Sequence, residues 1–164
     1  MKKHPKFGYE VIQKLRYINE RAKKIVIEHH ERIDGSGYPT GCKGDEISLF
    51  GKIASISDVY DAIISDRIYR TGVSGSEAYE FILGGAGTLF DWNLVNIFKN
   101  HFSIYQPGSC VQLSNGVEAF VVKENKGFPD RPVVRVLYDK ENNEIEPYDI
   151  DLVVKLDICI EGVL

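Results

Sequence analysis

The apolar residues change their spacing partway along the chain, and this change restricts the fold more than any other feature. Up to about residue 104 they recur at helical intervals. Beyond that point they fall into short runs of strand length. Helices bury a stripe and strands bury a face, so one kind of layer does not satisfy both halves. The break falls near Gln106-Pro107-Gly108, a turn signal. We therefore expect a mainly α unit over 1–104 and a small all-β unit, sheet-like or barrel-like, over 105–164. Charge divides at the same place. Residues 1–104 carry 14 basic and 13 acidic groups, whereas 105–164 carry 6 and 11, so the net charge of −4 comes from the second unit.

Within the first unit, Val11, Ile12, Leu15 and Ile18 predict a helix over 9–18, and Ala22, Ile25 and Val26 one over about 20–30. Residues 34–41 hold too much Gly and Pro for regular structure and read as a loop. Ile53, Ile56, Tyr60, Ile63 and Ile64 form the stripe of a third helix over about 49–65. On another side of it Ala54, Asp58, Asp61 and Ser65 follow at steps of 4, 3 and 4, which puts two carboxylates together. Ser74 and Glu77 make a capping box for a fourth helix. Asp91 is placed to cap a last one through Leu94, Val95 and Phe98.

In the second unit, Cys110–Leu113 and 117–122 flank Ser114-Asn115-Gly116, a hairpin signal. A Val-rich strand is expected over 132–138, a turn at Asn142-Asn143 and a final strand over 151–158. No histidine and no Gly-rich phosphate loop lies in this unit. No apolar run approaches the roughly 18 residues of a membrane span. The amino terminus lacks the apolar region of a secretory signal. Three separated cysteines, Cys42, Cys110 and Cys159, fit reduced thiols in a cytoplasm. Mild acidity argues against a nucleic-acid binder.

The chemistry concentrates in the first unit. His29 and His30 are adjacent at a helix end. Neighbouring helical residues diverge by about 100°, so the pair is expected to reach two ions of a multinuclear cluster sooner than one. Imidazoles with carboxylates are the mixed ligands of Fe, Mn, Zn or Ni sites. The pair alone equally fits ordinary surface or partly buried histidines. Arg67 and Arg70, three apart, share a helix face, and a guanidinium grips phosphate through paired hydrogen bonds.

The run from His29 to Pro39, HHERIDGSGYP, resembles the HHExxxGxGYP signature of the HD-GYP family. His4-Pro5-Lys6-Phe7-Gly8 is similar to its HPxxG, residues 41–47 to its GLxGxxI, and 53–70 to its ADVFDALTSxRPYR helix. Residues 90–95 resemble its FDPxLV. Cys42 and Ser48 replace a usual Leu and Pro, and Ile68 and Trp92 replace prolines. The resemblance implies a helical metal-dependent phosphohydrolase of bacterial signalling. Its reaction would be hydrolysis of cyclic di-GMP to pGpG or GMP by metal-activated hydroxide. It implies a divalent transition metal held by His4, His29, His30 and Asp58. Arg67 and Arg70 would contact the phosphates, and Tyr38 the substrate. Gly37, Pro39 and Asp61 would support the site, while His101 matches no motif and reads as structural. No residue is assigned as catalytic.

The chain contains no His-Asp dipeptide, the pair for which the family is partly named. In the family this dyad lies upstream of HPxxG. We therefore expect an N-terminally truncated helical domain with an incomplete cluster, inactive alone, and an exposed apolar face on the helix of Val11, Leu15 and Ile18. That face would favour a homodimer. The competing expectation is a non-catalytic interaction module that uses the GYP loop to bind a partner such as a diguanylate cyclase domain.

Overall fold

The computed structural model describes residues 2–65 and 73–164. They form two compact units, Met1–Phe98 and Lys99–Leu164. Five helices, α1 His4–Ile12, α2 Glu20–Glu28, α3 Leu49–Ile64, α4 Gly75–Gly84 and α5 Trp92–His101, precede five strands. This is the expected mainly α architecture followed by a small β unit.

The first helix begins earlier than its apolar spacing suggested. Pro5 sits in the first turn of α1, where its missing N–H costs no hydrogen bond. The helix ends at Ile12, so Leu15 and Ile18 lie in turns and are half-buried. The exposed apolar residues of α1 are Phe7 and Val11. Asn19 caps α2 by accepting from the Arg21 N–H at 2.8 Å. Ser48 caps α3, its Oγ accepting from the Gly51 N–H at 3.1 Å. The Ser74–Glu77 capping box opens α4 as expected. Ile56, Ile82, Phe90 and Val95 from α3, α4, the following turn and α5 form one buried cluster.

The inner face of α3 matches the one read from spacing only in part: Ile56 of the isoleucine stripe is buried, while Ile53 and Ile64 are exposed. Gly51 and Ser55 are buried, and Asp58 and Ala62 continue their line at steps of 3 and 4. Asp61 is exposed. Asp58 and Asp61 therefore do not act together on one inner side.

The second unit is a five-stranded antiparallel sheet in the order β4-β3-β2-β1-β5. Its strands are β1 Cys110–Leu113, β2 Glu118–Asn125, β3 Phe128–Tyr138, β4 Glu144–Asp151 and β5 Ile160–Val163. Val111, Leu113, Ala119, Val121, Val134 and Val136 alternate onto one face and form the core with Ile150 and Leu152. The hairpin at Asn115-Gly116 is present, with the Leu113 N–H donating to the Val117 carbonyl at 2.9 Å.

The expected strand over 151–158 is absent; residues 152–158 form turns and irregular chain. Leu152 there is fully buried, so its apolar character serves the core and not a ladder. Asp151 Oδ1 accepts from the Val153 N–H at 3.0 Å and from Asn125 Nδ2 at 2.8 Å, which fixes the turn. The strand before it, β4, is a sheet edge bearing Pro147 and four carboxylates. Charges and proline are what edge strands use against further pairing, and they mask the strand signal.

Asp91 Oδ1 accepts from the Asn93 and Leu94 N–H groups at 3.0 and 3.2 Å. Its Oδ2 meets Lys52 Nζ at 3.2 Å. Asp91→Ala is expected to lower the unfolding free energy by about 1–2 kcal/mol, the usual worth of an N-cap. Urea denaturation followed by circular dichroism measures it.

Candidate metal centre

The histidines converge because α2 ends where they begin. His29 is the C-cap residue of α2 and His30 follows it in a turn, so the angular rule for consecutive helical residues does not govern them. His4 comes from the start of α1. Its Nε2 lies 3.2 Å from His29 Nε2 and 3.2 Å from His30 Nε2. One ligand atom from each of the three falls within 4.8 Å of the others. Nitrogens bound to one ion at about 2.1 Å, at right to tetrahedral angles, stand about 3.0–3.4 Å apart. The spacing fits three ligands of one cation, in contrast to the two-ion expectation for the adjacent pair.

The outer nitrogens of His29 and His30 each face an acceptor. His29 Nδ1 lies 3.1 Å from the Ile25 carbonyl, so the neutral ring donates there and leaves the Nε2 lone pair inward. His30 Nδ1 lies 3.3 Å from Asp58 Oδ2, an ion-pair distance. Asp58, implied as a ligand, thus stands behind His30 on its other nitrogen. A carboxylate or carbonyl on the outer nitrogen fixes tautomer and ring orientation in metal sites. Burial, reinforced by His29, lowers the His30 pKa to about 4 despite the opposing charge of Asp58. The ring is neutral near pH 7, the form that binds a metal.

Two buried glutamates shape the surrounding chain. Glu31 is 1% exposed. Its Oε1 accepts from the Thr40 N–H at 2.8 Å and Thr40 Oγ1–H at 2.7 Å, and its Oε2 from the Gly41 N–H at 3.0 Å. Glu28 Oε2 accepts from the Ser48 N–H at 2.9 Å and from the Ser48 hydroxyl. Between these anchors runs the loop with Gly37, Tyr38 and Pro39; the Tyr38–Pro39 peptide is cis. The Tyr38 N–H donates to the His30 carbonyl at 3.2 Å, and the two rings pack with centroids 4.6 Å apart. At Gly37 a β-carbon would lie 2.5–2.6 Å from backbone atoms of His30, Glu31 and Arg32.

Beside the histidines lies an open cleft of about 560 Å³. His30, Arg32, Tyr38, Asp58 and Glu77 line its polar part, and its apolar wall includes Ile63 and Phe81. Arg32 was not singled out in the sequence, nor were Glu28 and Glu31. The available signal was position: Glu31 and Arg32 directly follow the histidine pair. Arg32 Nη1 donates to the His29 and Glu31 carbonyls at 3.2 and 2.8 Å. Asp61 does not line the cleft. Arg67 and Arg70 lie outside the described residues. His101 is exposed at the end of α5.

The family model described as an HD domain matches residues 1–94, and one described as a KOW domain associated with HD domain matches 110–164. A cyclic di-GMP phosphodiesterase of Pseudomonas aeruginosa is 31% identical over 92% of this chain and 36% of its own length. The cyclic di-GMP phosphodiesterase response regulator RpfG of Xanthomonas campestris is 41% identical over 56% of this chain and 24% of its own. A solved structure of a cyclic GMP-AMP-specific phosphodiesterase of Vibrio cholerae aligns over 55% of this chain and 20% of its own, with 30% identity and a TM-score of 0.46. The chain belongs to the HD domain family, in its HD-GYP branch. It spans about a third or less of the length of these curated relatives. Among the described residues no helix is long and apolar enough to cross a membrane.

Two outcomes follow from the geometry. Gly37→Ala is expected to cost about 1–3 kcal/mol, because backbone and not a flexible side-chain end must move; thermal or urea unfolding measures it. The lowered pKa of His30 means that folding favours the neutral ring. That stability is complete above the unfolded value of about 6.5 and is lost as pH falls toward 4. The melting temperature of the metal-free chain is expected to fall across this window, and His30→Asn to remove that part of the slope.

Proposed function

We propose that this chain supplies a metal-binding, phosphate-facing site to a phosphodiesterase acting on a cyclic dinucleotide such as cyclic di-GMP. The observation that carries the reading is the meeting of His4, His29 and His30, with the Nε2 atoms of His29 and His30 each 3.2 Å from that of His4 and their outer nitrogens facing acceptors. An all-imidazole face suits a divalent transition metal such as Zn, Fe, Ni or Mn. Such an ion supplies Lewis-acid polarisation of a phosphoryl oxygen and a more acidic bound water.

The residues of the chain do the rest. Asp58 holds His30 in the Nδ1–H tautomer, and the Ile25 carbonyl does the same for His29. Tyr38 closes one side of the site against the His30 ring, where Pro39 and Gly37 hold its backbone. The cleft next to it offers a flat base an apolar wall that includes Ile63 and Phe81. Arg67 and Arg70, outside the described residues, keep the phosphate-contacting role that the family resemblance implies. The relatives named for cyclic di-GMP and cyclic GMP-AMP hydrolysis support a cyclic dinucleotide as the substrate class.

Elemental analysis and calorimetric titration with Mn²⁺ or Zn²⁺ test the metal reading. His29→Ala is expected to abolish stoichiometric binding. Asp58→Asn, which reverses the donor sense at His30 Nδ1, is expected to weaken it by about 10–100-fold. Undiminished metal content in both variants would refute the site.

A further inference from the structure

Arg32 is a half-buried cation that no carboxylate among the described residues touches directly, although Asp58, Glu31 and Asp34 act on it at longer range. Its Nη1 is occupied by the carbonyls of His29 and Glu31. Among the described residues it forms no ion pair: of the two carboxylates that share the cleft, Asp58 lies 3.3 Å from His30 Nδ1 and Glu77 is held in its capping box by Ser74. Guanidinium carries five N–H donors in a planar fork. Nε and Nη2 make no hydrogen bond among the described residues, and the side chain lines the cleft that also holds His30 and Tyr38. The ring of Phe90 lies 5.7 Å from the guanidinium carbon. The carbonyls and the ring restrain the fork, so its free donors are presented with little side-chain entropy left to lose. A cation partly removed from water, with its neighbouring carboxylates acting only at longer range, gains from an anionic ligand that meets its open donors directly.

We propose that Arg32 binds a phosphate group in this cleft, through Nε and Nη2, next to the histidine centre. This rests on the phosphodiester reading above and adds a contact on the near side of the site, distinct from Arg67 and Arg70. One guanidinium would then couple two tasks. Its Nη1 holds the turn on which His29 and His30 ride, while the remaining donors meet the phosphate. The geometry suits a tetrahedral oxyanion better than a single-point acceptor, since paired donors match two oxygens of one phosphate.

The test compares the unsubstituted chain with Arg32→Gln and Arg32→Lys in the presence of Mn²⁺. Each is titrated by calorimetry with inorganic phosphate and with cyclic di-GMP, after its melting temperature and Mn²⁺ affinity have been measured. Gln keeps a side-chain N–H for the carbonyls but removes the charge and the fork. It is expected to bind Mn²⁺ within about threefold of the parent and both phosphate probes at least about tenfold more weakly, with partial recovery in Arg32→Lys. In the unsubstituted chain the Arg32 Nε–H resonance is expected to shift on adding phosphate, a readout that needs no variant. Parent-like binding of both probes by Arg32→Gln, or an unmoved Nε–H resonance at saturating phosphate, overturns the assignment. Equal loss of Mn²⁺ and phosphate binding in both variants also overturns it, since the role would then be structural alone. Arg32-dependent binding of phosphate without binding of cyclic di-GMP keeps Arg32 and refutes the cyclic-dinucleotide reading. Cyclic di-GMP binding indifferent to Arg32 does the reverse, and binding of neither probe refutes both.

Discussion

The histidine pair is held between two buried carboxylates, and the rest of the first unit is arranged to satisfy them. Glu28 lies just before the pair and Glu31 just after it. Neither relies on a close cation. Glu31 takes its donors from Thr40 and Gly41, and Glu28 from Ser48, with Lys24 only at 4.0 Å. A buried carboxylate without donors is expensive, so each glutamate dictates where a distant backbone segment must lie. One pins the end of the Gly-Pro loop and the other pins the start of α3. The site is built by satisfying acceptors first, and the imidazoles are carried to their places as a result.

That order explains why the metal-facing nitrogens are prepared without a metal. The acceptors on the outer nitrogens are a helix carbonyl and an aspartate, both fixed by the same packing. The Nε2 atoms of His29 and His30 are therefore each held 3.2 Å from that of His4, where one cation can stand among the three. The neutral state of His30 follows from the same crowding, since a proton on that ring would be buried beside two imidazoles and Arg32.

Legibility from sequence followed how local each signal was. Capping residues Asn19, Ser74 and Asp91 act within three residues of themselves, and two of these caps were readable directly, as was the Asn115-Gly116 hairpin. The histidine group was readable because its residues sit inside short ordered motifs. What escaped reading was non-local. The inner face of α3 is decided by what α2 presents to it, so Gly51 and Ser55 turn inward beside Ile56, while Ile53 and Ile64 of the same stripe stay exposed. The strand β4 hides behind its charges because it is an edge. The apolar run after it was taken for a strand because Leu152 belongs to the core through a turn. Arg32 gave no spacing signal at all; its partners are two carbonyls and an aromatic ring some sixty residues away in sequence, Phe90.

Gly51 illustrates how an absent side chain sets a distance. A β-carbon there would stand 2.6 Å from Glu28 Oε2 and 2.7 Å from Glu28 Cβ, so no two side chains can coexist at this crossing. Asp58 lies seven residues further along α3, two helical turns on the same side. His30 lies two residues beyond Glu28. The bare backbone at position 51 is therefore the gauge that sets how near Asp58 comes to His30. Any lineage that fills this position must also re-space the helices, and would retune the imidazole without touching a single residue of the site.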